Sequence, residues 1–229
     1  MDSKKYRMSK QAFVIENERF ILDVFKQDPG RILSVFYDED YPIKKSPFYG
    51  NCPSYLVKSS VFKTLHDVKT SSGLLAIAQY PCLFEKGIKK RVLLLDGIQN
   101  PTNLGALFRS AAAFHVDHIY CLKGTTDPFH PESVRAMAGQ YYTVSFSFVT
   151  PDDPCLLGFS WLQLDASSSS TLSSLQISQP WGLFIGSETG FSHSPPFNIT
   201  PVRIPMKDGV DSLNVVVATS IALFMLGQS

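Results

Sequence analysis

The pattern of apolar and polar positions divides the chain near residue 90. In the first part, apolar residues between positions 11 and 25 recur mostly at helical spacing, which predicts a helix. Apolar runs at 32–37, 54–57 and 74–78 are bounded by polar turns and predict short strands. These elements predict a small α/β domain over residues 1–82.

After a polar linker at 83–90, the apolar runs become continuous. The run at 92–95 is typical of a central parallel strand that is covered on both faces. The alternation of strands and helices predicts a mostly parallel sheet with helices on both faces, over a second domain of residues 91–229. The further elements expected there are strands at 118–121, 143–148, 160–164, 181–185 and 201–204 and helices at 103–114, 132–138 and about 213–226.

Composition and charge narrow the class of protein. The chain has 229 residues, 44% of them hydrophobic, which excludes wholesale disorder. Its apolar stretch at 215–226 is too short to span a membrane, and its first residues lack the apolar core of a secretory signal. Four widely spaced cysteines argue against a disulfide framework or a zinc site, so we expect a cytoplasmic protein with no metal.

The charge is unevenly distributed between the two predicted domains. Residues 1–90 carry 15 Lys and Arg against 10 Asp and Glu, and residues 91–229 carry 6 against 10. The excess of positive charge in the first part favours a polyanionic partner for the first domain.

Three polar segments follow predicted strands of the second domain, where open parallel sheets bind their ligands. The first contains Asn103, Gly105 and Arg109 at the start of a predicted helix. Arg109 falls off the apolar stripe of that helix, one turn after Gly105, so an anionic ligand could approach beside it. The alternative reading is a glycine needed for packing and a solvated arginine.

The second and third segments are also ambiguous when taken alone. Gly186 and Gly190 flank a single acid, Glu188, which could accept hydrogen bonds from a ligand or hold Arg109, or could belong to a simple tight turn. In the third segment, Ser212 is a suitable N-cap for the last helix. The chain has no Gly-rich dinucleotide or P-loop motif, which disfavours a simple NAD or ATP site.

In this order, the three segments resemble the SpoU/TrmH branch of the SPOUT RNA methyltransferases. Asn103, Gly105 and Arg109 match that family's N-x-G-x-x-x-R motif, and Gly186 and Glu188 match its strand–Gly-x-Glu loop. The sequences at 204–206 (Ile-Pro-Met) and 212–214 (Ser-Leu-Asn) match its third motif, so the resemblance covers about residues 91–226. More loosely, the apolar runs at 13–16 and 73–77 resemble the family's small substrate-binding domain.

The resemblance implies a fold and an activity. It implies a trefoil-knotted C-terminus, a homodimer, and methyl transfer from S-adenosylmethionine to a ribose 2′-hydroxyl of RNA, ribosomal RNA more than transfer RNA. The substrate and catalytic residues carried over are Arg109, Asn103, Glu188, Ser212 and Asn214. The cofactor-binding residues carried over are Gly186, Ile204, Met206 and Leu213.

Two other functions remain open on the sequence. Only one residue separates Glu188 from Gly190, where TrmH-type loops usually have two, and this spacing is closer to the branch that methylates uridine bases. The chain could therefore methylate a base with the same cofactor. It could also be a non-catalytic RNA-binding or ribosome-assembly factor, although such a protein would not need this whole set of polar residues.

Overall fold

A computed structural model describes residues 3–65, 72–81, 87–175, 177–207 and 209–227. The chain forms two compact units, one of residues 1–81 and 129–139 and the other of residues 82–128 and 140–229. Residues 83–86 of the predicted linker lie outside the described residues.

The described residues contain ten strands and six α-helices. The helices are α1 (Lys4–Lys10), α2 (Glu18–Gln27), α3 (Ser59–Phe62), α4 (Pro101–Ala113), α5 (Pro131–Met137) and α6 (Val215–Gly227). The strands are β1 (Ala12–Ile15), β2 (Ile32–Asp38), β3 (Ser54–Val57), β4 (Leu74–Gln79), β5 (Arg91–Asp96), β6 (His118–Cys121), β7 (Ser145–Phe148), β8 (Ser160–Leu164), β9 (Trp181–Gly186) and β10 (Ile199–Val202).

The first unit is built on a four-stranded sheet in the order β1-β4-β2-β3. The helix predicted at 11–25 is wrong in its first half, because β1 occupies that stretch and pairs antiparallel with β4. Its aromatic and β-branched residues favour a strand, and the Asn17 side chain then caps α2 by accepting a hydrogen bond from the Arg19 N–H. Ile21 and Val24 are the fully buried residues of α2.

A second stretch of chain completes the first unit. We predicted a helix at 132–138 within the second domain, and the structure places α5 there. Residues 129–139, which contain α5, group with the first unit. The rings of Phe129 and Phe13 lie 4.6 Å apart, and Arg135 forms an ion pair with Glu16 at 3.2 Å. The first unit is therefore built from two separate stretches of the chain.

The second unit is a six-stranded sheet in the order β10-β8-β9-β5-β6-β7, and every pair in it is parallel. This confirms the predicted α/β fold with a parallel sheet. The two outer strands differ from prediction in extent, since β7 begins at Ser145 and β10 ends at Val202, two residues before the predicted end.

Helices cover only one face of this sheet. Among the described residues, the α-helices of the second unit are α4 and α6, which pack against each other and share a 2.8 Å hydrogen bond between Ser110 and Ser220. The opposite apolar cluster contains no residue of either α-helix and is closed by Leu156, which lies in a short 3-10 helix (Pro154–Leu156), and by residues such as Phe159 and Phe197. The expectation of helices on both faces is therefore wrong for the described residues, because aromatic loops fill the second face. No helix in the described ranges is both long and apolar enough to cross a membrane.

Candidate active site

The first segment of the site enters α4 through a capped turn. The Asn100 side chain accepts hydrogen bonds from the backbone N–H groups of Thr102 and Asn103, at 2.9 and 3.1 Å, and Pro101 takes the first helical position. The helix therefore starts two residues before the predicted one at 103. As predicted, it buries an apolar stripe at 104, 107, 108 and 111. This stripe fixes the rotation of α4 and leaves the Asn103 side chain on a half-buried face.

The second segment is a tight turn at the end of β9. The backbone groups of Ser187 and Gly190 hydrogen-bond to each other in both directions at 2.9 Å, so Glu188 and Thr189 form a two-residue tip. The Asn103 Nδ2 donates a 2.7 Å hydrogen bond to Glu188 Oε1, across 85 positions of sequence. The two polar residues predicted from separate motifs are thus in direct contact.

Gly186, the last residue of β9, is needed for this turn to close. A Cβ at this position would lie 2.8 Å from the Gly190 carbonyl oxygen and 3.0 Å from the Phe191 ring. The first distance is too short for any side chain unless the backbone shifts, and the second would require the Phe191 ring to move. The glycine therefore lets the loop fold back over the end of β9, where the Phe184 and Phe191 rings lie 4.5 Å apart.

A buried carboxylate fixes the far end of the same loop. Asp96 ends β5 and is fully buried, and its Oδ2 accepts hydrogen bonds from the Ser192 and His193 N–H groups at 2.6 and 2.8 Å. The His193 ring nitrogen Nδ1 lies 2.6 Å from Asp96 Oδ1, to which it donates. Asp96 therefore ties the segment after Glu188 to the central strand.

The third segment ends in an asparagine cap. The Asn214 Oδ1 accepts hydrogen bonds from the N–H groups of Val216 and Val217 at 2.9 and 3.4 Å, and α6 begins at Val215. Our prediction that Ser212 caps this helix is wrong, because the helix starts two residues later than predicted and Asn214 occupies the capping position. Ser212 and Leu213 lie exposed in the preceding loop.

A small pocket lies where the three segments meet, at the carboxyl ends of β5 and β9. Of the predicted site residues, Asn103 and Glu188 line it. The other lining residues come from the same loops and from the start of α6, and they are Ile98, Gln99, Asn100, Ser187, Thr189 and Val215. The predicted cofactor residues Ile204, Met206 and Leu213 do not line this pocket; Ile204 and Met206 are half-buried after β10.

Arg109 does not line the pocket that Asn103 and Glu188 line. Its side chain is exposed, and it forms no hydrogen bond or ion pair with the residues that the structure describes. At 1.5 Å per residue it lies about 9 Å along α4 from Asn103. Glu188 holds Asn103 and not Arg109, which was one of the two partners that we considered for it.

Sequence reasoning missed the residues that support the site. Asp96 is an acid that directly follows the apolar run at 92–95, and an acid in such a place is a usable signal. Asn100 precedes a proline at a helix start, which is a recognisable cap pattern. His193 carried no such signal, since its role depends on a contact 97 positions away.

Comparison with known proteins identifies the family. The model of the SpoU rRNA Methylase family matches residues 90–224, which are more than half of the chain and contain all three segments. The chain belongs to the SpoU rRNA methylase family. It is 24% identical to the 23S rRNA (guanosine(2553)-2'-O)-methyltransferase RlmP of Bacillus subtilis, over 99% of this chain and 92% of that protein. It is 34% identical to the 23S rRNA (guanosine-2'-O-)-methyltransferase RlmB of Xanthomonas campestris, over 58% of this chain and 56% of that protein.

Solved structures agree with the SpoU assignment at the level of the fold. The SpoU methyltransferase AviRb of Streptomyces viridochromogenes, solved in complex with AdoMet, superposes with a TM-score of 0.83 and is 19% identical. That alignment covers 99% of this chain and 93% of AviRb. An AdoMet-bound rRNA methyltransferase of Sinorhizobium meliloti gives a TM-score of 0.80 at 23% identity, over 99% of this chain and 91% of that one.

Proposed function

We propose that this SpoU protein transfers a methyl group from S-adenosylmethionine to a ribose 2′-hydroxyl of RNA. The observation that carries the proposal is the Asn103–Glu188 hydrogen bond, which joins two family motifs at a pocket at the carboxyl edge of the parallel sheet. The named relatives RlmP and RlmB, which are 2'-O-methyltransferases acting on guanosine of 23S rRNA, support ribose methylation and ribosomal RNA as the substrate.

The pocket suits S-adenosylmethionine. Its lining combines residues of two loops with the Glu188 carboxylate and the three amide side chains of Gln99, Asn100 and Asn103. Peptide N–H and C=O groups can bind adenine edges, and a carboxylate favours a sulfonium cation nearby. When bound, the cofactor supplies an electrophilic methyl group that needs no further activation. Gly186, Ile204, Met206 and Leu213, the cofactor-binding residues implied by the family resemblance, do not line this pocket, so in this proposal they contact the part of the cofactor that extends beyond it.

The chain then has to orient a ribose hydroxyl and help to remove its proton. The bond from Asn103 occupies Glu188 Oε1 and fixes the direction of the carboxylate, so that Oε2 can accept a hydrogen bond from the ribose. Ser212 lies exposed in the loop before α6, where its hydroxyl can reach the substrate. Asn214 shapes the start of α6 through its cap.

Arg109 acts on the RNA phosphate in this proposal. A guanidinium remains protonated in proteins, so it is a poor general base. It can form two parallel hydrogen bonds to a phosphate beside the target nucleotide and stabilise negative charge on the attacking oxygen. Its exposure leaves it available to a large ligand.

The first unit is proposed to select the RNA. Lys44, Lys45, Lys58 and Lys63 are exposed and can contact phosphates. Phosphate contacts position a nucleic acid but do not read its sequence, so the specificity must come from other groups.

We also propose the homodimer, the knot and the cytoplasmic location. Val217 and Phe224 lie seven residues apart on α6 and are 47% and 54% exposed, which favours a partner surface. The path of the chain after β10 supports a threaded C-terminus, since Arg203 hydrogen-bonds to Ser170 and Leu172 before α6 returns to pack on α4. A cytoplasmic location remains an expectation from the sequence.

The test is to incubate the protein with ribosomal RNA and methyl-labelled S-adenosylmethionine, digest the RNA to nucleosides, and analyse them by mass. We expect label in a 2′-O-methyl nucleoside. Label in a methylated base would instead support the base-methylating alternative. No label in any nucleoside, together with no binding of S-adenosylmethionine in calorimetry, would support the alternative of a non-catalytic RNA-binding protein.

A further inference from the structure

The first unit carries an aromatic pair at its sheet edge. Among the strands of the described residues, β3 lies at the edge of its sheet and pairs, in parallel, with β2 alone, in a register that places Tyr55 opposite Phe36. The two rings stack with centroids 5.2 Å apart and planes inclined by 24°. Phe36 is half-buried, while Tyr55 is 52% exposed.

This exposure is unusual for its position. An edge strand with large exposed apolar side chains invites unwanted pairing, and proteins normally protect such edges with charges, proline or bulges. Here Leu56, the neighbour of Tyr55, is also 59% exposed. A large aromatic face that is held flat by a stacked neighbour and is open to solvent is the geometry that proteins use to bind a nucleotide base.

We propose that Tyr55, supported by Phe36, is a stacking site for an unpaired base of the RNA substrate. The inference rests on the proposed function only in taking RNA as the ligand. Phosphate contacts do not distinguish one RNA sequence or structure from another, but a stacking site can. A base must be unpaired before it can stack on Tyr55, so the site selects loops and bulges over helical RNA.

The charges around the pair give it little attraction for phosphate, so in this proposal stacking supplies its affinity. Lys58 is exposed three residues after Tyr55. Close to it, however, Glu39 accepts a 2.8 Å hydrogen bond from the Ser59 N–H, and Asp38 and Asp40 accept from the Ser59 hydroxyl. These three carboxylates hold the start of α3 and offset the nearby lysine charge.

The experiment measures the affinity of the full chain for a short oligouridylate of about a dozen nucleotides, in which every base is unpaired. For Tyr55→Ala we expect a loss of affinity of about 5- to 20-fold. Tyr55→Phe keeps the ring and should bind within about twofold of the unchanged protein. The matched control is Tyr6→Ala, since Tyr6 is 50% exposed in the same unit but lies in α1.

Two further measurements separate stacking from charge. Inorganic polyphosphate has no bases, so its binding should be unaffected by Tyr55→Ala. The fold-loss caused by Tyr55→Ala should also be the same at low and high salt, whereas the loss caused by replacing Lys44 and Lys45 with alanine should shrink as salt rises.

Three results would overturn the proposal. They are an unchanged oligouridylate affinity in Tyr55→Ala, an equal loss for polyphosphate, and a change of oligomeric state on sedimentation without a change in RNA affinity. The last result would mean that β3 pairs with a second copy of the chain. Since these readouts are affinities and not methyl transfer, they stand even if the proposed activity fails.

Discussion

Arg109 is proposed to act on the RNA although it does not line the pocket. It is exposed on α4, about 9 Å along the helix from Asn103, and in this proposal its flexible guanidinium binds a phosphate of the RNA outside the pocket. The described residues around it offer no ion pair. Its contribution should therefore be to the RNA complex and not to the stability of the fold.

Arg109→Ala should abolish methyl transfer, with a loss of a hundredfold or more in kcat, because one donor that stabilises the reacting oxygen is commonly worth about that much. Affinity for S-adenosylmethionine and the melting temperature should change little. Arg109→Lys keeps the charge but not the two parallel N–H groups, so we expect an intermediate rate. Turnover near the original rate in Arg109→Ala would contradict the role.

His118 is a second residue whose chemistry is set by its surroundings. It is 3% exposed and lies at the start of β6, with Ser145 Oγ at 2.6 Å and Ser147 Oγ at 2.9 Å. Lys89 Nζ lies 2.6 Å from its Nδ1 and can only donate to it. Burial, and secondly the Lys89 charge, lower the pKa of His118 from 6.5 to about 3.

This lowered pKa predicts acid sensitivity. Below about pH 6.5 the unfolded chain protonates His118 while the folded protein does not, so stability falls as the pH falls towards 3. At pH 5 the cost is about 2 kcal/mol. Between pH 7 and pH 5, the free energy of unfolding should fall in the unchanged protein by about this amount more than in His118→Asn. Denaturant titration at the two pH values measures the difference. Equal losses in the two proteins would contradict the assignment.

Residues at the site differ in how far the sequence could predict them. Asn103 and Glu188 were predicted from their motifs, and the structure brings them together. The cap of α6 was assigned to Ser212 because serine, like asparagine, can cap a helix, and the spacing alone did not distinguish it from Asn214. His193 was missed, because its partner is distant in sequence.

At the scale of elements, the site depends on the attachment of the β9 loop to β5. Two features give the loop its shape: the turn between Ser187 and Gly190, and the three hydrogen bonds to Asp96. Glu188 lies at the tip of the turn, so the direction of its side chain should depend on both the turn and the hydrogen bonds to Asp96. The carboxylate of Asp96 is thus a positioning group for Glu188.

Asp96→Asn should loosen this loop. The amide keeps only one acceptor oxygen, so its NH2 group faces a donor in either orientation: the two backbone N–H groups now bonded to Oδ2, or the His193 ring N–H now bonded to Oδ1. A buried unpaired donor costs about 1–3 kcal/mol. We expect a loss of unfolding free energy of that size and a higher Kd for S-adenosylmethionine in calorimetry. His193→Phe removes only the ring hydrogen bond and should have a smaller effect. An unchanged Kd in Asp96→Asn would show that the loop does not depend on this carboxylate.

Several strands could be predicted closely, but the boundary between β1 and α2 could not. β3, β6 and β8 have the predicted bounds, since each contains a short group of apolar residues that is bounded by polar or turn-forming residues. The helix predicted at 11–25 merged β1 with α2, because Phe13 and Val14 also fit a helical spacing with Ile21. Local periodicity cannot separate a short strand from the helix that follows it.

At the scale of the whole molecule, the division of the chain follows packing and not sequence order. Residues 129–139 lie between strands of the second unit but group with the first. The sequence carries no signal for such an excursion, since α5 has an ordinary helical pattern. The proposed threading of the C-terminus would also be a property of the chain path, and on the sequence only the family resemblance implied it.

The proposed homodimer predicts the effect of a single surface change. Val217→Arg places a charge on the exposed apolar face of α6 and should shift the protein to a monomer in sedimentation. Leu157→Arg is the matched control, because Leu157 is 62% exposed on a loop of the same unit. A monomeric starting protein, or dimers in both variants, would exclude this face as the interface.

The most direct test of the central claim maps 2′-O-methyl groups in the RNA of cells with and without this gene. Ribose methylation by the Asn103–Glu188 site predicts that one or more 2′-O-methyl positions disappear without the gene. The unchanged gene should restore them, and a gene carrying Glu188→Ala should not. A map that is identical with and without the gene would contradict the account.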